Sequence, residues 1–264
     1  MNRFKNKSKL KSKLKNKEIT IGSWITISST EIIEILSSAG FEWLVIDMEH
    51  TSISIDQCKL LIQTIQANNM DALVRVPENN QVIIKKVLDC GADGIIVPLI
   101  KSKEEANKAV SLTQYPPEGD RGVGLNRAHN YGINFKDYYS WSKNEIVLIA
   151  QIEHIDSVKN IDEILSVNGL DAALIGPYDL SSSMGFPGDY NKKEVINALN
   201  EVELKIKKSN VSLGFHVIES DYNFSFEKIK KGYNLIAFSI DFFFLGDKAR
   251  EEMRNFKNHL KKIK

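Results

Sequence analysis

The chain has 264 residues, 42% of them hydrophobic, and a formal net charge of +1. That is enough apolar material for a sizeable core and an ordinary length for one α/β barrel, while no run nears the ~18 apolar residues of a membrane span. The only cysteines, Cys58 and Cys90, are unclustered, which excludes a disulfide framework or a cysteine zinc site and fits a reducing cytoplasm.

In chain order, the first feature is charge. Residues 1–18 hold eight Lys or Arg and one acid, so the rest of the chain carries about −6. No apolar stretch follows the basic start, so it is not a secretory signal. It reads as a solvated extension entering a short helix with Leu10 and Leu14 four residues apart, rather than as an attachment to nucleic acid or an anionic membrane. Residues 19–264 are expected to form a single domain.

From residue 19 onward, short apolar runs alternate with longer amphipathic segments. The predicted strands span residues 19–25, 43–50, 71–76, 94–100, 146–153, 171–176, 212–218 and 235–241. The intervening segments carry helix signals, with Thr30 expected as an N-cap, Gly40 as a C-cap and Gly91 as a stop. Continuous apolar strands alternating with helices indicate a parallel sheet covered on both faces. At this length the sheet is expected to close into a (β/α)8 TIM barrel. An open doubly wound sheet fits less well, because no glycine-rich turn follows the first strand. One long irregular segment, residues 113–132, precedes the fifth strand and is expected to be functional on length alone.

Polar residues gather where the strands end, and in such a barrel that end carries the active site. The second strand, WLVIDMEH, runs straight into Asp47, Glu49 and His50; the third ends at Arg75 and the fifth at Glu153. Asp179 lies just past the sixth strand, His216 in the seventh and Asp241 at the end of the eighth. Glu153 and Asp179 are the best metal pair, since two carboxylates plus water and substrate oxygens suit octahedral Mg²⁺ or Mn²⁺. Exposed backbone amides in the stretch from Gly176 to Asp179, which includes Pro177 and Tyr178, offer an anion-holding nest beside them. Asp47, three residues before His50, is expected to orient that imidazole as a general base. Arg75 would stabilise a developing oxyanion, form a structural ion pair with Glu49 or Asp47, or do both. His154 should point away from the site by strand alternation, and His129 has no sequence neighbour to pair with. No lysine falls in a strand window, which argues against a Schiff-base aldolase.

The segments GFEWLVIDMEH, LVRVPENN, KKVLDCGADGIIVP, YPPEGDRGVGLNRAHNYG, QIEH and IGPYDLSSSMG, in that order, resemble the HpcH/HpaI family of metal-dependent 2-oxo acid aldolases over about residues 10–245. The resemblance implies a phosphoenolpyruvate/pyruvate-type barrel, a divalent ion (Mg²⁺, Mn²⁺ or Co²⁺) on Glu153 and Asp179, and a His50–Asp47 base dyad. It places Arg75 at the pyruvyl oxygen and has Glu49 holding metal-bound water. Trp24 and Gln151 would line the pocket with the amides after Gly176, and Asp89 would reach a neighbouring subunit's site. A hexamer or trimer is implied, with the last helix packed on a neighbour. The sequence departs from the pattern at Met48, Tyr178 and His216; His216 replaces a usually apolar residue, and it and Tyr178 bear on aldehyde specificity.

The expected activity is reversible cleavage of a 4-hydroxy-2-oxo acid to pyruvate and an aldehyde. An acyl-CoA lyase of malyl- or citryl-CoA type, which would need a basic nucleotide surface, and a catalytically silent binding barrel are the competing readings.

Overall fold

A computed structural model describes residue 4 and residues 8–263. Eight parallel strands close into a barrel in sequential order. They are β1 (Thr20–Ile25), β2 (Trp43–Asp47), β3 (Asp71–Arg75), β4 (Gly94–Val97), β5 (Val147–Ile152), β6 (Ala172–Ile175), β7 (Ser212–Val217) and β8 (Leu235–Ile240). Each lies within its expected segment. The runs are continuously apolar because both faces of every strand are covered. Leu44, Ile46, Val74, Ile95 and Ile236 point outward to the helices. Val45, Leu73, Ile96, Ile149 and Leu174 fill the barrel itself. Gly22 has to be glycine, because a Cβ there would lie 2.1 Å from the buried Trp43 ring.

The helices are α1 (Lys9–Lys15), α2 (Thr30–Ser38), α3 (Ile55–Ala67), α4 (Gln81–Asp89), α5 (Lys103–Thr113) and α6 (Phe135–Glu145), followed by α7 (Ile155–Lys159) and α8 (Ile161–Leu165). The last four are α9 (Pro177–Ser183), α10 (Lys193–Lys208), α11 (Tyr222–Lys230) and α12 (Asp241–Ile263). Ser29, not Thr30, is the N-cap of α2: its hydroxyl accepts from the Ile32 N–H at 3.3 Å, and Thr30 is the first helical residue. Gly40 and Gly91 both take positive φ just past helix ends, where only glycine is unstrained.

The crossover helices return antiparallel to the strands, so strand C-termini and helix N-termini share the mouth, while helix C-termini lie at the floor. The long irregular segment follows α5 and therefore lies at the floor, away from this chain's own mouth. Arg121 anchors it there, fully buried, donating to Asp89 (2.8 Å) and Tyr138 (2.9 Å) and stacked over Tyr115.

Helix α1 also belongs to the floor. Leu10 and Leu14 are buried among Trp43 and the interior strand residues, so the helix plugs the barrel. Its charges are used locally. Lys11 pairs with Asp171 (2.9 Å) and donates to the Ile146 carbonyl (2.6 Å), Lys13 pairs with Glu42, and the Leu10 N–H meets Asp71. Among the described residues no helix is long and apolar enough to cross a membrane.

Leu14→Ala should therefore destabilise the protein by about 2–5 kcal/mol in urea unfolding, the range for a core Leu→Ala change. A loss under ~0.5 kcal/mol, as expected at an exposed position, would show that the plug contributes nothing.

Candidate active site

Strand register builds the centre of the site. Asp47 and Arg75 are register partners at the last rungs of β2 and β3. Their side chains meet in a two-pronged ion pair, Arg75 Nε to Asp47 Oδ1 at 2.9 Å and Nη2 to Oδ2 at 2.7 Å. Asp47 Oδ1 also accepts the backbone N–H groups of Glu49 (3.0 Å) and His50 (3.4 Å). One carboxylate thus fixes the arginine and shapes the loop that carries the histidine.

The expected Asp47–His50 dyad takes a different form. Asp47 reaches His50 through the main chain, and the imidazole's ion partner is Glu49, Nε2 to Oε2 at 3.7 Å. A carboxylate held by a planar guanidinium on the adjacent strand is committed to it, whereas His50 lies beyond the strand end with its side chain exposed. Arg75 reaches Glu49 as well, at 3.2 Å, and its guanidinium lies 4.5 Å from the Trp24 ring. Trp24, on β1, is buried within the barrel.

Across the mouth stand the proposed metal ligands. Glu153, just past β5, is only 3% exposed. Its Oε1 accepts the Leu99 N–H at 2.8 Å, and Gln151 Nε2 donates to Oε2. Asp179 lies in the first turn of α9, which follows β6 directly; Gly176 precedes that helix without a side-chain cap, and Pro177 opens it. Tyr178 is exposed beside Gly188.

Electrostatics sets this end of the barrel apart. Burial pushes the Glu153 carboxyl up to about 7, against the Leu99 N–H, and the charges of Glu49 and Asp179 raise it further. Burial likewise lifts Glu49 to about 6, opposed by Arg75 and assisted by Asp47 and Asp179. Four carboxylates surround one guanidinium, so the mouth is short of positive charge. Glu49 Oε2 and Gln151 Oε1 are buried without a hydrogen-bond partner in the protein, unlike most buried polar atoms. Among the described residues no three His, Cys, Asp or Glu side chains converge as a complete metal cage. The hard oxygen pair of Glu153 and Asp179 fits a divalent ion that keeps water or substrate in its other positions.

The remaining residues sort by location. His216, on β7, packs against Trp24 with ring centroids 5.1 Å apart. Asp89 ends α4 at the floor with Arg121, on the opposite side from this chain's mouth. His154 caps α7, accepting from the Asp156 N–H. His129 is buried within the floor loop, accepting the Gly132 N–H. Sequence reasoning missed Leu99, whose backbone amide holds Glu153 while its φ is +52°; a main-chain donor leaves no mark in the residue type.

Fold and site together define a closed (β/α)8 barrel with a carboxylate-rich mouth organised around one arginine. The chain belongs to the HpcH/HpaI aldolase/citrate lyase family, whose model matches residues 20–245, and with it to the lyases. It is 31% identical over 250 residues to 2-keto-3-deoxy-L-rhamnonate aldolase of Escherichia coli K12, covering 94% of this chain and 92% of that protein. A HpcH/HpaI aldolase/citrate lyase family protein from Burkholderia cenocepacia J2315 superimposes with a TM-score of 0.89 at 30% identity, covering 94% of this chain and 98% of that one. The citrate synthase SbnG gives 0.81 at 28% identity, covering 96% and 98%.

Asp47→Ala should lower stability by up to about 3–5 kcal/mol, since it strips the buried Arg75 charge of its two-pronged partner and leaves it only the single contact to Glu49. Adding Arg75→Met should recover part of that loss in chemical denaturation, because the stranded charge is gone. A double variant as unstable as the sum of its singles would contradict the pairing.

Proposed function

We propose that the protein is a metal-dependent aldolase cleaving a 4-hydroxy-2-oxo acid reversibly to pyruvate and an aldehyde. The carrying observation is the charge arrangement of the mouth: buried Glu153 with Asp179 and Glu49 opposite a single guanidinium fixed by Asp47. The name of the Escherichia coli relative, an aldolase acting on a 2-keto acid, supports the same reaction class. No lysine lies on any strand of the barrel, so a Schiff-base route has no candidate amine there.

A divalent ion held by Glu153 and Asp179 would supply Lewis-acid polarisation of the substrate's carboxylate and keto oxygens. The chain's own residues do the rest. Arg75 is held rigid by Asp47 and by Trp24 and shares the negative charge that develops on the C2 oxygen as C3–C4 breaks. His50, placed by the Asp47–backbone contacts and flanked by Glu49, takes the proton of the 4-hydroxyl. The C3–C4 electron pair passes to the pyruvyl half as an enolate, the aldehyde leaves, and protonation at C3 gives pyruvate. Gln151 is oriented by Glu153 and presents its free carbonyl to the pocket; the first-turn amides of α9 face the substrate carboxylate.

The same reading assigns Asp89 and the floor loop to a neighbouring subunit. Val123, Leu125 and Ile133 of that loop are exposed, as are Met253, Phe256 and Leu260 of α12. Such faces suit packing in a homo-oligomer.

Two experiments test this function. Glu153→Gln and Asp179→Asn should fold normally but lose turnover at ordinary Mg²⁺ or Mn²⁺ levels, and EDTA should abolish wild-type activity. Full activity after chelation, with borohydride trapping pyruvate on a lysine, would refute the assignment. His50→Ala should depress turnover by about 10²–10⁴-fold while pyruvate still binds. Arg75→Ala, in contrast, should slow exchange of pyruvate's methyl protons with solvent, which needs the enolate but no aldehyde. An unchanged cleavage rate in His50→Ala would leave that residue without its role.

A further inference from the structure

Both carboxyl oxygens of Glu153 are held by the protein. Gln151 Nε2 donates to Oε2, and the Leu99 N–H donates to Oε1 at 2.8 Å. A carboxylate oxygen with one donor keeps a lone pair for an ion, and the donors decide where those lone pairs point. The Leu99 bond comes at a conformational cost. Leucine at φ +52° is strained, and its side chain is exposed, so burial of the leucine does not hold it there.

What holds it lies in the two residues that follow. Beyond Glu153 the chain enters α7 and α8, and polar groups along this stretch grip the backbone of the loop after β4. The Gln151 carbonyl accepts the Ile100 N–H at 3.3 Å. Ser157 Oγ donates to the Ile100 carbonyl at 2.7 Å, and Asn160 Nδ2 donates to the Lys101 carbonyl at 2.8 Å. From the other flank, Glu105 Oε2 accepts the Lys101 N–H at 2.5 Å. Ile100 and Lys101 thus have both amide and carbonyl engaged.

Neither Ser157 nor Asn160 is used as its place in a helix suggests. A serine within a helix commonly bonds the backbone of its own helix. Ser157, fully buried in α7, gives its hydrogen to a different element. An asparagine at a helix start is a strong cap, yet Asn160 makes no side-chain capping bond to α8 and gives its amide to Lys101.

The bonds close a circuit. Glu153 takes the amide of Leu99, and Ser157, one helical turn further along the chain, takes the carbonyl of Ile100. The hydroxyl fixes the loop, the loop fixes the amide, and the amide fixes the carboxylate. A leucine released from this grip would leave the left-handed region and turn its amide away from Glu153.

We propose that Ser157 and Asn160 are positioning residues for the divalent ion: by clamping Ile100 and Lys101 they keep Leu99 in its strained conformation and its amide on Glu153. This rests on the metal-dependent reading above and adds residues that never touch the ion. Groups that orient a metal's ligands typically change affinity by about 10–100-fold when removed.

The test is Mn²⁺ binding without substrate, read from the free-ion EPR signal, together with chemical unfolding of each variant. The wild type should bind Mn²⁺ and Glu153→Gln should lose it. Ser157→Ala and Asn160→Ala should each weaken binding by about tenfold or more, whereas a merely structural role would lower the unfolding midpoint and leave the affinity of the folded protein unchanged. Glycine takes positive φ without strain, so Leu99→Gly added to Ser157→Ala should recover most of the lost affinity. Asn160→Ala, at a half-buried position, reads the same clamp should Ser157→Ala fail to fold. Wild-type affinity in the folded variants, or a loss that Leu99→Gly does not relieve, overturns the inference and leaves the metal site standing. A wild type that binds no Mn²⁺, or binding that survives Glu153→Gln, removes the metal reading instead, and this inference with it.

Discussion

The buried ion pair of Asp47 and Arg75 is the constraint on which the rest of the mouth depends. Taking two charges out of water is expensive, and only good geometry with further hydrogen bonds offsets it. Here strand register makes the residues neighbours, the two prongs are 2.7 and 2.9 Å long, and two backbone amides also donate to Oδ1. Once Asp47 is engaged in this way, the arginine is fixed against Trp24. Glu49, although it also touches the guanidinium, shares it with a closer carboxylate, and Glu153 and Asp179 have no nearby cation of their own. The pair thus creates the charge deficit that a divalent ion and an anionic substrate can use.

Backbone strain follows the same map. Most non-glycine residues with positive φ sit in turns, several of them asparagines that tolerate it. Leu99 and Ser239 are different. Leu99, just past β4, directs its amide to Glu153, and Ser239, in the bulge where the register of β8 with β1 slips, holds the His216 ring. Each uses an unfavourable conformation to aim a main-chain group at a buried side chain of the mouth. A main-chain donor or acceptor cannot swing away as a side chain can, which is what a preorganised site requires.

The strands were legible in the sequence because a parallel barrel buries both faces, turning each strand into an unbroken apolar run whose polar end marks the mouth. The acids, the arginine and His216 were therefore found from residue type and position, and Trp24 through the family resemblance alone. Their pairings were only partly so, since the sequence left Arg75 open to Asp47 or Glu49 without ranking either above the expected dyad. Sequence spacing joins Asp47 to His50, three residues on, whereas the dominant partner is Arg75, which only cross-strand register brings opposite. Ser29 displaced Thr30 as a cap because two neighbouring hydroxyl residues give the same signal. The long loop drew attention by its length, but its place at the floor depends on following a helix rather than a strand. The bulge at Ser239 leaves little mark, since one serine between Phe238 and Ile240 does not by itself announce a register slip.

The two ends of the barrel treat the same kind of residue in opposite ways. At the floor, Glu42 and Asp171 meet lysines of α1, Asp71 meets its backbone, and Asp89 meets Arg121. The surplus of basic residues before residue 18 is partly spent there, on a surface that would otherwise be acidic. At the mouth, among the described residues, only Arg75 answers four carboxylates, and burial holds Glu153 and Glu49 well above the ordinary carboxylate range. A fold that supplies counter-ions at one end is able to supply them at the other. WLVIDMEH ends in acid because the strand delivers Asp47 to the arginine and Glu49 to a site kept short of positive charge, and that shortage is what the mouth has to offer a cation.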